Sequence, residues 1–121
     1  MIDLPKLSQM AQQLVAPGKG ILAADESTST IEKRLVKVGV VSTEDSRRAY
    51  RQMLLTTPGM EQYISGVIFY DETFRQSGTD GKPFVQLLNE KGVLPGIKVD
   101  TGAVASPQSP SEKITTGLDT L

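Results

Sequence analysis

Apolar residues open the chain with a helical repeat. Leu4, Leu7, Ala11 and Leu14 recur every three or four positions, with Met10 and Val15 beside them. That stripe predicts an amphipathic helix over Asp3 to Val15. Asp3 can cap it, Pro5 suits its first turn and Pro17-Gly18 ends it. The pattern then changes to a short continuous run, Ile21-Leu22-Ala23-Ala24, which leads into Asp25 and reads as a strand buried on both faces. Ile31, Leu35 and Val38 restore helical spacing from Thr30 to about Val38, before Gly39. Ser29 followed three positions later by Glu32 fits a capping box for that helix. Ser42 with Asp45 starts another helix, running to about Thr56 with Ala49, Tyr50, Met53 and Leu54 inward, and Pro58-Gly59 breaks it. Gly66 to Tyr70 forms a second apolar strand, and Ser77 to Lys82 a loop. Pro83 opens a helix to about Lys91. A third strand is best formed from Gly96 to Asp100, because Pro95 lacks the N–H that a ladder needs. Thr101 to Thr116, rich in Ser, Pro, Gly and Thr, reads as loop, and the chain ends at Leu121 in what reads as a helix start.

Strands separated by helices define an α/β chain with right-handed parallel crossovers. Each predicted strand ends in an acid: Asp25, Asp71 with Glu72, and Asp100. The C-terminal strand ends of a parallel α/β barrel are where its reactive groups gather. An acid at a strand end also serves as an N-cap, so it is the agreement of three that points to a site. Alternation along Ile97-Lys98-Val99-Asp100 puts Lys98 and Asp100 on one face. A lysine inside a buried strand is costly unless paired, and Asp100 or Asp25 can supply the partner.

Composition narrows the field. Thirteen basic and 14 acidic residues among 121 leave a net charge of −1, without the basic stripe that nucleic-acid binding requires. No apolar run approaches a membrane span of about 20 residues, and acidic Asp3 without an apolar run after it does not resemble a secretory signal. Cysteine and histidine are both absent. That composition is compatible with the cytoplasm and offers a metal such as zinc only carboxylates, a poor set. The length suits one small domain.

The densest chemistry lies in Gly18-Lys19-Gly20-Ile21-Leu22-Ala23-Ala24-Asp25-Glu26-Ser27-Thr28-Ser29-Thr30-Ile31-Glu32-Lys33-Arg34. Here a strand delivers a carboxylate, and hydroxyls, a helix N-terminus and two cations follow at once. Lys33 and Arg34 fall near the start of the predicted helix, where cations oppose the helix dipole, and that cost hints at a second duty. Solvated surface charge is the plainer account of the pair. As a set, these groups suit a polyhydroxylated, phosphorylated ligand.

This run resembles the N-terminal signature of the class I fructose-1,6-bisphosphate aldolases. Further segments resemble that family in family order: Val15-Ala16-Pro17-Gly18, Arg47-Arg48-Ala49-Tyr50-Arg51-Gln52-Met53-Leu54-Leu55, Gly66-Val67-Ile68-Phe69-Tyr70-Asp71-Glu72-Thr73, Gly96-Ile97-Lys98-Val99-Asp100 and Gly117-Leu118-Asp119. Several ordered segments are more specific than any one motif. The resemblance covers nearly everything from about Leu7.

It implies the N-terminal segment of a TIM (β/α)8 barrel, about three β/α units over residues 1–121, since a whole barrel takes roughly 250 residues. It implies a lyase of glycolysis that reversibly cleaves fructose 1,6-bisphosphate through a lysine Schiff base, without cofactor or metal, as a cytoplasmic homotetramer. It gives Asp25 a catalytic part with the sugar hydroxyls and protons. It assigns Ser27 and Thr30 to a substrate phosphate, with Thr30 standing where the family usually has serine. Lys33 and Arg34 would line the phosphate end, Lys98 would lie near phosphate and open-chain sugar, and Arg47 would serve substrate binding. The family's imine-forming lysine belongs to a later strand, so this segment alone is expected to be inactive. The rival readings are a non-catalytic phosphate-binding or interaction fragment and another Schiff-base barrel acting on sugar phosphates.

Overall fold

The computed structural model describes residues 3–119. The helix start expected at the chain's C-terminal end reaches residues 120 and 121, outside that range. Helix α1 (Leu4–Leu14) is followed by strand β1 (Gly20–Ala24), helix α2 (Thr28–Lys37) and helix α3 (Glu44–Thr56). Then come a 3-10 turn (Met60–Gln62), strand β2 (Ile64–Phe69), the short helix α4 (Asp71–Phe74), helix α5 (Phe84–Glu90) and strand β3 (Leu94–Ile97). Strands β4 (Gly102–Ala105) and β5 (Lys113–Thr116) close the described chain.

Strands β1, β2 and β3 form one parallel sheet in that order. Ala24 stands level with Phe69, and Phe69 with Ile97. Helices fill the intervals between the strands, so the chain is an α/β unit with the parallel strands a barrel segment needs. Ala24, Val67 and Phe69 pack with Leu55 of α3 and with Phe84 and Leu88 of α5 into one core, which Met60 and Val93 complete. Each large side chain fully buried in this way contributes about 1.5–3 kcal/mol.

The opposite sheet face is open, contrary to the double burial expected of apolar strands. Ile21 is 48% exposed, and with Met10, Leu14, Gly66, Ile68 and Leu94 it lines a shallow apolar groove. The end of α1 reaches into this groove. A Cβ on Gly66 would lie 2.5 Å from Leu14 Cδ2, so any larger residue there would push the Leu14 side chain aside. Ser65 Oγ fixes the helix end by donating to Leu14 O at 2.6 Å. Asp3 caps α1 as expected, accepting from Lys6 N at 3.0 Å. The stripe of Leu4, Leu7 and Ala11 nevertheless stays exposed, and only Leu14 is half-buried. Among the described residues, the rest of the helix has nothing to lie against.

Several boundaries differ from the pattern's forecast, β2 starting at Ile64 and β3 ending at Ile97 among them, and three of the differences have a local reason. Helix α2 starts two residues early, with Ser27 as N-cap in place of Ser29. Ser27 is still extended as the chain leaves β1, and its carbonyl accepts from Thr30 N and Ile31 N. Glu32 then lies too deep in the helix to close a capping box. Ile31 and Leu35 are buried as predicted, while Val38 is exposed at the C-cap. Helix α3 is capped by Thr43 with Ser46, not by Ser42 with Asp45. Its buried residues are Arg51 and Leu55; Tyr50 and Leu54 are half-buried, and Ala49 and Met53 face solvent. Strand β3 begins at Leu94 and includes Pro95, level with Val67. β3 lies at the sheet edge, where a proline can turn its missing donor away from the ladder.

The stretch from Thr101 to Thr116 is not loop throughout. β4 and β5 pair as an antiparallel hairpin, Gly102 opposite Thr116 and Ala105 opposite Lys113. Gly117, at φ +89°, turns away directly after it, and a Cβ there would lie 2.7 Å from Thr101 N. The hairpin residues themselves are almost all exposed, and its apolar pair, Val104 opposite Ile114, is set among Ser, Pro, Gly and Thr.

Candidate active site

Continuing the sheet register by one residue beyond Ala24, Phe69 and Ile97 reaches Asp25, Tyr70 and Lys98. Lys98 therefore sits just past β3, not inside it, although its backbone N–H still donates to Phe69 O at 2.8 Å. Its ammonium donates to Asp100 Oδ1 at 2.6 Å and stands 3.7 Å from Asp25 Oδ2. Both acids offered as partners are thus engaged by one lysine. Asp100 also accepts from Gly102 N at 3.1 Å, so the start of the hairpin holds its carboxylate in place. The hydrogen bond to Asp100 raises the Lys98 pKa, with partial desolvation opposing it and both aspartates adding their charge. The same bond holds Asp100 below its ordinary value. All three side chains are 27–29% exposed, enough for a ligand to reach them.

A cleft of about 480 Å³ opens over Lys98 and Asp100, lined also by Ser27, Tyr70, Asp71 and Thr101, while Asp25 and Thr30 lie outside its lining. Ser27 brings the start of α2 to its edge. Although Ser27 is the N-cap residue, its hydroxyl makes no capping bond. It lies 3.0 Å from Thr30 Oγ1 and 3.2 Å from Ser29 Oγ. Three hydroxyls thus cluster beside a helix N-terminus whose amide groups keep partial positive charge, an arrangement that receives an anion well.

The predicted cations fare differently. Arg34 falls in the last turn of α2, where a cation is favourable, so the helix-dipole cost inferred from the sequence does not arise. It pairs with Glu26, the residue after Asp25. Lys33 is exposed, has no hydrogen bond or ion pair among the described residues, and does not line the cleft. Arg47 forms a two-pronged bond with Glu72, Nε to Oε2 at 2.8 Å and Nη2 to Oε1 at 2.6 Å. That bond raises Arg47 and lowers Glu72 in pKa. Arg47 is therefore turned toward the exit of β2. The structure brings Asp25 to Lys98, and Ser27 to Thr30; it leaves Lys33 and Arg47 outside that contact network.

Sequence reasoning passed over Tyr70, Thr101 and Arg51. Arg51 is 2% exposed and sits between α3 and the end of β1. Its signal was present in the spacing: Arg47, Arg51 and Leu55 repeat every four residues and form the inner line of α3. A face read from apolar residues alone excludes such arginines.

Comparison with known proteins places the chain. The model of the family described as fructose-bisphosphate aldolase class-I matches residues 6–121. A probable fructose-bisphosphate aldolase class 1 of Xanthomonas campestris is 53% identical over 99% of this chain and 36% of its own length. A fructose-bisphosphate aldolase of Echinococcus multilocularis is 54% identical over 98% of this chain and 33% of its own. A chickpea (Cicer arietinum) aldolase, named as the cytoplasmic isozyme, is 56% identical over 92% of this chain. Among solved structures, fructose-bisphosphate aldolase from Plasmodium falciparum, in a complex with TRAP and a small-molecule inhibitor, superposes with a TM-score of 0.89 at 47% identity. That match covers 95% of this chain and 33% of the other. The chain thus spans about a third of the length of the relatives it matches, and in sequence and fold alike it belongs to the class I fructose-bisphosphate aldolase family.

Proposed function

We propose that this chain forms part of an enzyme that reversibly cleaves fructose 1,6-bisphosphate to glycerone phosphate and glyceraldehyde 3-phosphate in glycolysis. The observation that carries this reading is the cluster of Asp25, Lys98 and Asp100 at the strand ends, next to the hydroxyls of Ser27 and Thr30. A carboxylate beside a fixed ammonium suits proton handling at a carbon–carbon bond. Hydroxyls at a helix N-terminus suit a phosphate.

In this reading Asp25 contacts the sugar hydroxyls and moves the proton. Ser27 and Thr30 hold one phosphate, Arg34 and Lys33 supply charge at that end, and Lys98 binds near the phosphate and the open-chain sugar. Arg47 is the least direct member, because its guanidinium is filled by Glu72; it touches substrate only by exchanging that partner. The electron sink is a protonated imine on a lysine of a later strand of the longer protein. No lysine of this chain is assigned that part, and no cofactor is required. Residues 1–121 then make a partial barrel domain of about three β/α units. The family resemblance favours a homotetramer. A cytoplasmic location agrees with the name of the plant relative, and among the described residues no helix is long and apolar enough to cross a membrane.

The test joins this chain to the C-terminal two thirds of the Xanthomonas campestris relative and measures cleavage of fructose 1,6-bisphosphate. Turnover at a rate typical of enzymes, with borohydride trapping of a substrate adduct, is expected. A folded fusion with neither would favour the non-catalytic phosphate-binding reading.

A further inference from the structure

Arg51 is the most deeply buried charge in the described chain, yet none of the roles above uses it. It projects from α3 to the end of β1 and reaches both residues that flank Asp25. Its Nε donates to Ala24 O at 2.8 Å, and its Nη2 donates to Glu26 O at 3.0 Å. The same Nη2 lies 3.0 Å from Glu26 Oε2. Glu26, only 10% exposed at its side chain, in turn pairs with Arg34. The guanidinium also rests against Tyr50, 5.5 Å from the ring centroid. One planar fork thus spans the backbone on either side of the candidate proton handler. Its partner carboxylate carries the cation placed at the phosphate end.

We propose that Arg51 is a positioning residue for this site: it fixes the direction of Asp25 toward Lys98 and, through Glu26, the place of Arg34. This rests on the aldolase reading above. Two features separate the role from simple core support. A buried ion pair is weak evidence for stability, since desolvation offsets most of its attraction. Moreover, the acceptors are carbonyls of the very segment that leaves the sheet for the cleft, where a displacement of about 1 Å can cost on the order of 100-fold in rate. The fork matters as much as the charge. Lysine offers a compact ammonium and cannot reproduce the two directed bonds of Arg51.

The experiment uses the full-length fusion, with Arg51→Lys alone, Asp25→Asn alone and the two combined. Arg51→Lys should melt within a few degrees of the parent while kcat for fructose 1,6-bisphosphate falls roughly 10- to 100-fold. In the Asp25→Asn background the same change should cost less than about threefold, because the group being positioned is already disabled. Equal losses in both backgrounds would make Arg51 a structural residue only, and a folded Arg51→Lys with unchanged kcat would overturn the proposal outright. Should Arg51→Lys fail to fold, Glu26→Gln takes its place. It keeps both carbonyl bonds but weakens the hold on Arg34, so KM should rise about tenfold with kcat kept within about threefold; an unchanged KM overturns the proposal as well. A folded parent without aldolase activity sinks the aldolase reading and this inference with it, whereas an active parent with indifferent variants sinks this inference alone.

Discussion

Lys98 shows how much one side chain settles. Its ammonium sits between two carboxylates, one the next alternate residue of its own strand line and one from the end of β1, on the far side of β2. The sequence made that pairing legible, because a lysine among apolar strand residues needs a counter-charge and the alternation offers Asp100. It could not show that Asp25 and Asp100 share the lysine, since that depends on the lateral register of β1, β2 and β3. The sharing has a consequence for pH. Asp100 is held below its ordinary 3.8, so its contribution is full above that value and is lost as pH falls through the depressed pKa. Lys98 is raised above 10.5, so its contribution is full below that value and is lost as pH rises through the raised pKa. Between those limits the pair should be insensitive to pH. Side-chain NMR titration should therefore find the Asp100 carboxyl below 3.8 and moving upward in Lys98→Met; an unmoved value would show that the lysine does not set it. Asp25 calls for a kinetic test in the full-length fusion. Asp25→Asn keeps the shape and loses the base, so kcat should fall by 100-fold or more, the scale on which general acid–base groups act, with KM nearly constant. A kcat within a few-fold of the parent would remove Asp25 from the chemistry.

At the level of elements, two helix starts of similar composition do different work. Helix α3 uses its cap fully: Thr43 Oγ1 accepts from Ser46 N at 3.1 Å, and Ser46 Oγ accepts from Thr43 N at 2.8 Å. Helix α2 leaves the Ser27 hydroxyl among other hydroxyls, with no bond to its own backbone. The sequence displayed both clusters of Ser and Thr but not which residue would cap, because that depends on where the preceding strand releases the chain. Capping energetics turn this difference into a prediction. Thr43→Ala should destabilise by about 1 kcal/mol. Ser27→Ala should cost almost no stability but weaken binding of a phosphorylated ligand. Denaturant titration and ligand binding on the two variants would decide it; equal stability losses would show that Ser27 caps α2 after all. The hairpin of β4 and β5 was illegible for a related reason. Its short strands are almost wholly exposed, the one large apolar pair being Val104 opposite Ile114, and they are defined by their pairing with each other, not by a core. Yet Thr101 and Gly102, at its base, help line the cleft.

For the whole molecule, the decisive fact is the open face of the sheet. The helical side is closed by Phe69, Phe84, Leu88 and Leu55, all essentially inaccessible. On the other side Ile21 is exposed within an apolar groove, and the stripe of Leu4 and Leu7 on α1 lies bare. The strand order puts β1 and β3 at the edges of a three-stranded sheet, each with unpaired backbone on its outer side among the described residues. Long open edges beside apolar surface recruit further strands. Apolar runs told correctly which segments form the parallel sheet, but they overstated burial: a run records what the longer relatives can enclose, and this chain covers about a third of their length. Expressed as its 121 residues alone, the chain should therefore associate with itself or remain loosely packed, and it should neither cleave fructose 1,6-bisphosphate nor give a borohydride-trapped adduct. Sedimentation and thermal melting at low micromolar concentration, with an assay on the same sample, test both halves of this expectation. A monodisperse monomer with a sharp cooperative melt would show that the open face tolerates water, and measurable turnover would show that the imine lysine is one of those already present.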